Sequence, residues 1–134
     1  LVPRSELDLV DPGLRAAAAE GAVIAVVDYA RATQARVAFG RAMDELLERY
    51  ELLLAPATAI PAFAAGQEVP AGSGLERWVR WAGFSYPINL SQQPALAMPA
   101  GRTADGRPIG LQLIGPRGGD GRVLAAASCL AEGG

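Results

Sequence analysis

Ala95-Leu-Ala-Met-Pro99, then Ala104-Asp105-Gly106-Arg107, then Pro108-Ile-Gly-Leu-Gln-Leu-Ile114 is the stretch from which the fold is read. Two apolar runs flank an Asp-Gly pair. Asp-Gly between strands is a strong hairpin signal, because glycine supplies the positive φ that such turns demand. Two strands are therefore predicted, Ala95–Pro99 and Pro108–Ile114. The second alternates Ile109, Leu111 and Leu113 with Gly110, Gln112 and Ile114, so both of its faces carry apolar groups that want cover.

Working outward, Asp120 is the expected cap of a last helix over about Gly121–Ala131, stopped by Gly133-Gly134. Upstream, Leu52-Leu-Leu-Ala55 is a short apolar run ended by Pro56 and reads as a buried strand. From Pro56 to Gly74 the chain is rich in Pro, Gly and Ala and reads as an irregular surface loop. Leu75–Ala82 reads as a turn or two of helix bearing Trp78 and Trp81. A long helix is expected over Val27–Tyr50. Its apolar stripe is Phe39, Met43, Leu46, Leu47 and Tyr50, and Arg36, Arg41, Asp44, Glu45, Glu48 and Arg49 supply polar surface. Asp11-Pro12 starts a shorter helix, Pro12–Glu20, with Gly21 as its C-cap.

This order of elements fits an α/β architecture in which a sheet is flanked by helices. Three strands with apolar residues on both faces make a poor domain by themselves. They read better as the edge of a larger mixed sheet, and so as part of a larger domain.

The chain has 134 residues, 51% of them hydrophobic, enough for one domain with a core. Its formal net charge of −2 gives no electrostatic reason to expect nucleic acid or an anionic membrane as partner. The apolar run Ala16–Val27 is interrupted by Glu20 and Gly21 and is too short to span a bilayer. No signal peptide is visible. Cys129 is the single cysteine, which excludes an internal disulfide, and its place on the last helix suggests a small core residue. A soluble, cytoplasmic chain is the expectation.

Histidine is absent, and all twelve basic residues are arginines. A serine or cysteine nucleophile needs a neighbouring base, usually His or Lys, and arginine stays protonated. Zinc sites draw on His and Cys, of which there are none and one. Most routes to hydrolysis are closed within these residues, and no metal or cofactor is implied. Carboxylates such as Asp8, Asp11 and Glu20 are not convincingly paired for acid–base work.

Three stretches in fixed order resemble the C-terminal region of the amidase signature family. They are Tyr50-Glu-Leu-Leu-Leu-Ala-Pro56-Ala-Thr58, Phe84-Ser-Tyr-Pro87-Ile-Asn89-Leu-Ser-Gln-Gln-Pro94-Ala-Leu-Ala-Met-Pro99-Ala-Gly101 and Asp105-Gly106-Arg-Pro108-Ile-Gly110-Leu-Gln112-Leu-Ile-Gly115-Pro116. Asp28-Tyr29 also matches a pair common in the family. The resemblance runs from about Asp11 onward. Residues 11–134 are accordingly read as the C-terminal portion of an amidase-signature domain, and 1–10 as a linker or tag-like segment. Leu1-Val-Pro-Arg-Ser5 resembles a trimmed thrombin-site linker but lacks the glycine after arginine, so a native origin fits it equally.

The resemblance implies an α/β/α fold that hydrolyses carboxylic acid amides through a Ser–Ser–Lys triad lying N-terminal to this region. None of that triad maps here, and Ser5, Ser73, Ser85, Ser91 and Ser128 lack the signature's context. The expected function is that of a C-terminal fragment of an amidase-type hydrolase, inactive alone. A non-catalytic binding or interaction domain on the same scaffold is the alternative. Trp81-Ala82-Gly83 lacks the acidic residue typical of the amidotransferase component of transfer-RNA amidation, which favours a standalone amidase. Trp81, Phe84, Tyr86 and Asn89, with Trp78 beside them, form either an aromatic wall of the substrate cleft or a surface buried against the N-terminal half; the two are compatible. Asn89 would orient substrate or satisfy loop backbone groups, and Gln112 reads as structural. The implied partners are the N-terminal half of the same protein and a small-molecule amide. Made alone, these residues should self-associate as homo-oligomers or be partly disordered over Ala57–Gly74, because sheet edge and helix face would be bare.

Overall fold

The computed structural model describes residues 4–132. The reading of Leu1–Pro3 as part of a linker, and of Gly133-Gly134 as a helix stop, lies outside the described residues. The chain falls into two units, residues 1–35 and 36–134, taken in turn.

In the first unit a 3-10 turn, Arg4–Leu9, precedes helix α1, Pro12–Ala22. Asp11 is the predicted cap. Its carboxylate accepts the Leu14 N–H at 3.0 Å, while Pro12 occupies a first-turn position where no N–H is needed. The helix runs through Gly21 to Ala22, so glycine does not end it as expected; Val23 does. Asp8 pairs with Arg15 at 3.2 Å, so two of the carboxylates considered above serve an ion pair and a cap. No residue of α1 is buried, and Val23, Ile24, Val26, Val27 and Tyr29 are exposed. Helix α2, Val26–Arg49, begins here and continues into the second unit.

The second unit holds the sheet. Strands β1, Leu53–Pro56, β2, Ala95–Arg102, and β3, Pro108–Ile114, pair antiparallel in the order β1-β3-β2. The predicted hairpin is present. Gly106 has φ 85°, its N–H reaches the Thr103 carbonyl at 2.9 Å, and Thr103 N–H reaches the Arg107 carbonyl at 2.8 Å. That is a tight turn with glycine at the left-handed position. Pro99 sits where the β2 register becomes irregular, a place that tolerates its missing N–H. Strand β1 is an edge, not the buried strand expected, and Leu54 is exposed. Its free side has no neighbouring strand among the described residues.

Two corrections concern the helices before the hairpin. The docked face of α2 is Arg36, Gly40, Asp44 and Leu47, spaced by four, four and three residues, and shares Leu47 with the predicted stripe. Gly40 and Leu47 are buried, Met43 and Leu46 half-buried, and Phe39 and Tyr50 exposed, so the predicted stripe is covered in its middle and bare at its two ends. The second is helix α3, Ser85–Ser91, in a stretch whose sequence suggests a motif but no helix. Pro87 argues against a helix, yet it stands in the first turn, where N–H groups have no intrahelical acceptor.

Helix α4, Asp120–Glu132, packs on β2 and β3 through Val123. Cys129 is exposed, contrary to expectation, because the face of α4 that docks is the one bearing Val123, Ala126 and Ala127. The core of this unit is small: Leu47, Ile88, Leu113, Ile114 and Val123.

Candidate functional site

The loop after β1 is irregular, as predicted, and is held at three places. Ala57 N–H bonds to the Gly110 carbonyl at 2.9 Å. Arg107, at the hairpin tip, donates to the Ala62 carbonyl at 2.7 Å. Glu68 then engages both tryptophans. Its carboxylate accepts the Trp78 N–H at 3.3 Å, and its backbone carbonyl accepts Trp81 Nε1–H at 3.1 Å. Trp78 lies on a single 3-10 turn, Trp78–Arg80.

Rings complete the cluster. Phe63 meets Trp81 edge-on, with centroids 5.6 Å apart and planes at 87°, a favoured aromatic geometry. Trp78 and Tyr86 lie 6.2 Å apart. Tyr86 and Trp81 are half-buried. The Tyr86 hydroxyl is buried with no partner among the described residues, although buried tyrosine hydroxyls usually find one. Of the four residues singled out in sequence, Trp81 and Tyr86 therefore enter this cluster. Phe84 and Asn89 flank it on α3 and its approach, Phe84 exposed and Asn89 on the next turn from Tyr86.

Sequence reasoning missed Phe63 and Glu68. Glu68 had a signal: it is the one carboxylate between Glu51 and Glu76 in an otherwise apolar or neutral stretch. Phe63 had none beyond its size. Thr58–Pro61 and Pro108–Gly110 line a cleft of about 190 Å³ that none of these aromatic residues enters. That is less than the roughly 300 Å³ at which small-molecule pockets usually begin.

No nucleophile–base pair is assembled among the described residues. Ser73 Oγ accepts the Leu75 N–H at 3.2 Å, Ser91 Oγ is buried and donates to Ile88, and Ser128 Oγ donates to Leu124. Among the described residues no group of three His, Cys, Asp or Glu side chains is placed to hold a metal ion. Among them, too, no helix is long and apolar enough to cross a membrane. What the arrangement offers is a wall: rings, one carboxylate and a buried hydroxyl with no partner among the described residues.

The family model for amidases matches residues 7–124. The chain belongs to the amidase family. An amidase crystal structure superposes with a TM-score of 0.82 at 30% identity, covering 96% of this chain and 30% of that one, so the sheet and helices are a share of the amidase α/β fold. Among curated amidase relatives, a component of the glutamyl-tRNA(Gln) amidotransferase of Natronomonas pharaonis is 36% identical over 76% of this chain and 23% of its own length. An acylamidase of Rhodococcus erythropolis is also 36% identical, over 76% of this chain and 22% of its own. The chain thus spans about a quarter of the length of the curated relatives it matches. Equal identity to an acylamidase and to a transfer-RNA amidotransferase does not separate those two kinds of amidase.

Proposed function

We propose that these residues are the C-terminal portion of an amidase-type hydrolase of carboxylic acid amides, supplying scaffold and one wall of the substrate pocket. The observation that carries this is a family match over residues 7–124 in a chain with neither lysine nor histidine. The Ser–Ser–Lys triad then belongs to the N-terminal half of the same protein, which is the first partner, and these residues are inactive alone. Trp81, Phe84, Tyr86 and Asn89 face the amide. Residues 11–134 act as one portion of the domain, with 1–10 leading into it. A standalone amidase is favoured by the missing acidic residue at Trp81-Ala82-Gly83, and a cytoplasmic location is proposed with it.

The test compares the complete protein with these residues alone on a panel of small aliphatic and aromatic amides. Hydrolysis by the complete protein and none by these residues is expected. Hydrolysis by these residues alone would overturn the assignment of the triad. A complete protein inert on every amide would favour the non-catalytic scaffold instead.

A further inference from the structure

Helix α3 has seven residues, and a helix that short does not hold itself in water. No side chain caps its N-terminal end, where Tyr86 sits. Its C-terminal end is gripped. Arg36 Nε donates to the Leu90 carbonyl at 2.9 Å, and Gln93 Nε2 donates to Asp44 Oδ1 at 2.9 Å. Arg36 and Asp44 stand on one face of α2, so a long helix holds the last turn of the short one and the residue two places beyond its end. Gln93 is the buried contact, at 6% exposure. The same Asp44 oxygen pairs with Arg117 Nε at 3.2 Å, which ties the chain after β3 into the grip.

We infer that Gln93, through Asp44, is a positioning residue for the substrate-facing end of α3. The inference rests on the proposed function, in which Tyr86 and Asn89 face the amide. Tyr86 precedes Leu90 by one helical turn, about 6 Å along the axis. A tilt at the gripped end is therefore carried to Tyr86 and to Asn89. The reacting groups stand elsewhere, so the tilt weakens substrate binding more than chemistry and shows in KM before kcat.

The experiment uses the complete protein and a small aromatic amide. Gln93→Glu keeps the side chain's shape but sets a second carboxylate against Asp44. The double variant Gln93→Glu/Asp44→Asn restores one donor facing one acceptor. Gln93→Glu should raise KM about tenfold with kcat held within about twofold, and the double variant should recover most of it. Tryptophan emission should shift and recover in parallel, because Trp78 lies against Tyr86. Arg36→Met, which introduces no buried charge, should raise KM in the same sense and serves if Gln93→Glu fails to fold. A folded Gln93→Glu or Arg36→Met protein with wild-type KM overturns the inference. So does a matched fall in kcat and melting temperature that the double variant does not rescue. A wild-type protein inert on amides overturns the hydrolase reading and this inference with it, whereas an active wild type with indifferent variants overturns this inference alone.

Discussion

Gly115 and Val123 approach so closely that a Cβ on the glycine would stand 2.5 Å from the valine Cγ2. Val123 is 3% exposed and is the residue through which α4 enters the core, so it has nowhere to retreat. Gly115→Ala should therefore overpack the joint between β3 and α4 and destabilise the fold by about 1–3 kcal/mol. Chemical denaturation of the purified variant measures this. A midpoint equal to wild type would mean that α4 slides freely on the sheet.

The hairpin tip carries the clear titration shift among the described residues. Asp105 accepts hydrogen bonds from Arg107, at 2.7 Å, and from the Thr103 hydroxyl, and these hold its carboxyl at about 2. A carboxylate with a depressed folded-state pKa stabilises fully above its unfolded value of about 3.9, and that contribution fades as pH falls through the folded value. The tip should be indifferent to pH near neutrality and loosen only between about pH 4 and pH 2. Carboxyl carbon shifts followed by NMR read it directly. Arg107→Gln removes the largest cause and should return Asp105 toward the ordinary carboxylate range.

Much of this was legible in sequence where a local rule acts alone. Asp-Gly set the hairpin, Asp11-Pro12 set the start of α1, and Pro/Gly density marked the loop. Rules failed where the deciding contact is remote. Arg36 and Asp44 looked like solvent-facing charges, but each answers a group some fifty positions away, Leu90 and Gln93. Cys129 looked like core because the sequence sets it on the apolar face of the last helix, yet the side of α4 that is covered is the one bearing Val123. Of the candidate site, Trp78, Trp81 and Tyr86 stood out by type, while Phe63 did not. Glu68, which binds both tryptophans, could be noticed as a lone carboxylate but not placed.

Leu54 and Leu113, register partners on one face of the sheet, offer a test of the larger domain. Leu113 is 1% exposed, and Leu113→Ala should cost about 2–5 kcal/mol in any setting. Leu54, on edge strand β1, is 62% exposed, so Leu54→Ala in these residues alone should change stability by less than about 0.5 kcal/mol. If the sheet continues beyond β1 in the complete protein, Leu54 becomes core there and the same change approaches the Leu113 cost. Equal, small effects in both settings would leave β1 as a true edge and count against the proposed portion.

Trp81 holds the loop through two unlike contacts that substitution can separate. Its indole N–H donates to the Glu68 carbonyl, and its ring takes Phe63 edge-on. Trp81→Phe keeps an aromatic ring for Phe63 and removes the donor, a net loss of about 1 kcal/mol for a neutral hydrogen bond. Trp81→Ala removes both, adding about 0.5–1.5 kcal/mol for the ring pair before any loss of buried area. Because both contacts lie within the loop and its flank, the change should show locally. Amide exchange and limited proteolysis over residues 57–74 should quicken several-fold in Trp81→Phe and more in Trp81→Ala, with β3 protected as in wild type. Trp78→Phe is the control: its bond to Glu68 comes from the backbone N–H and survives the substitution, so the loop should stay as protected as before. Equal loosening by Trp78→Phe and Trp81→Phe would show that bulk, and not the indole donor, anchors this wall.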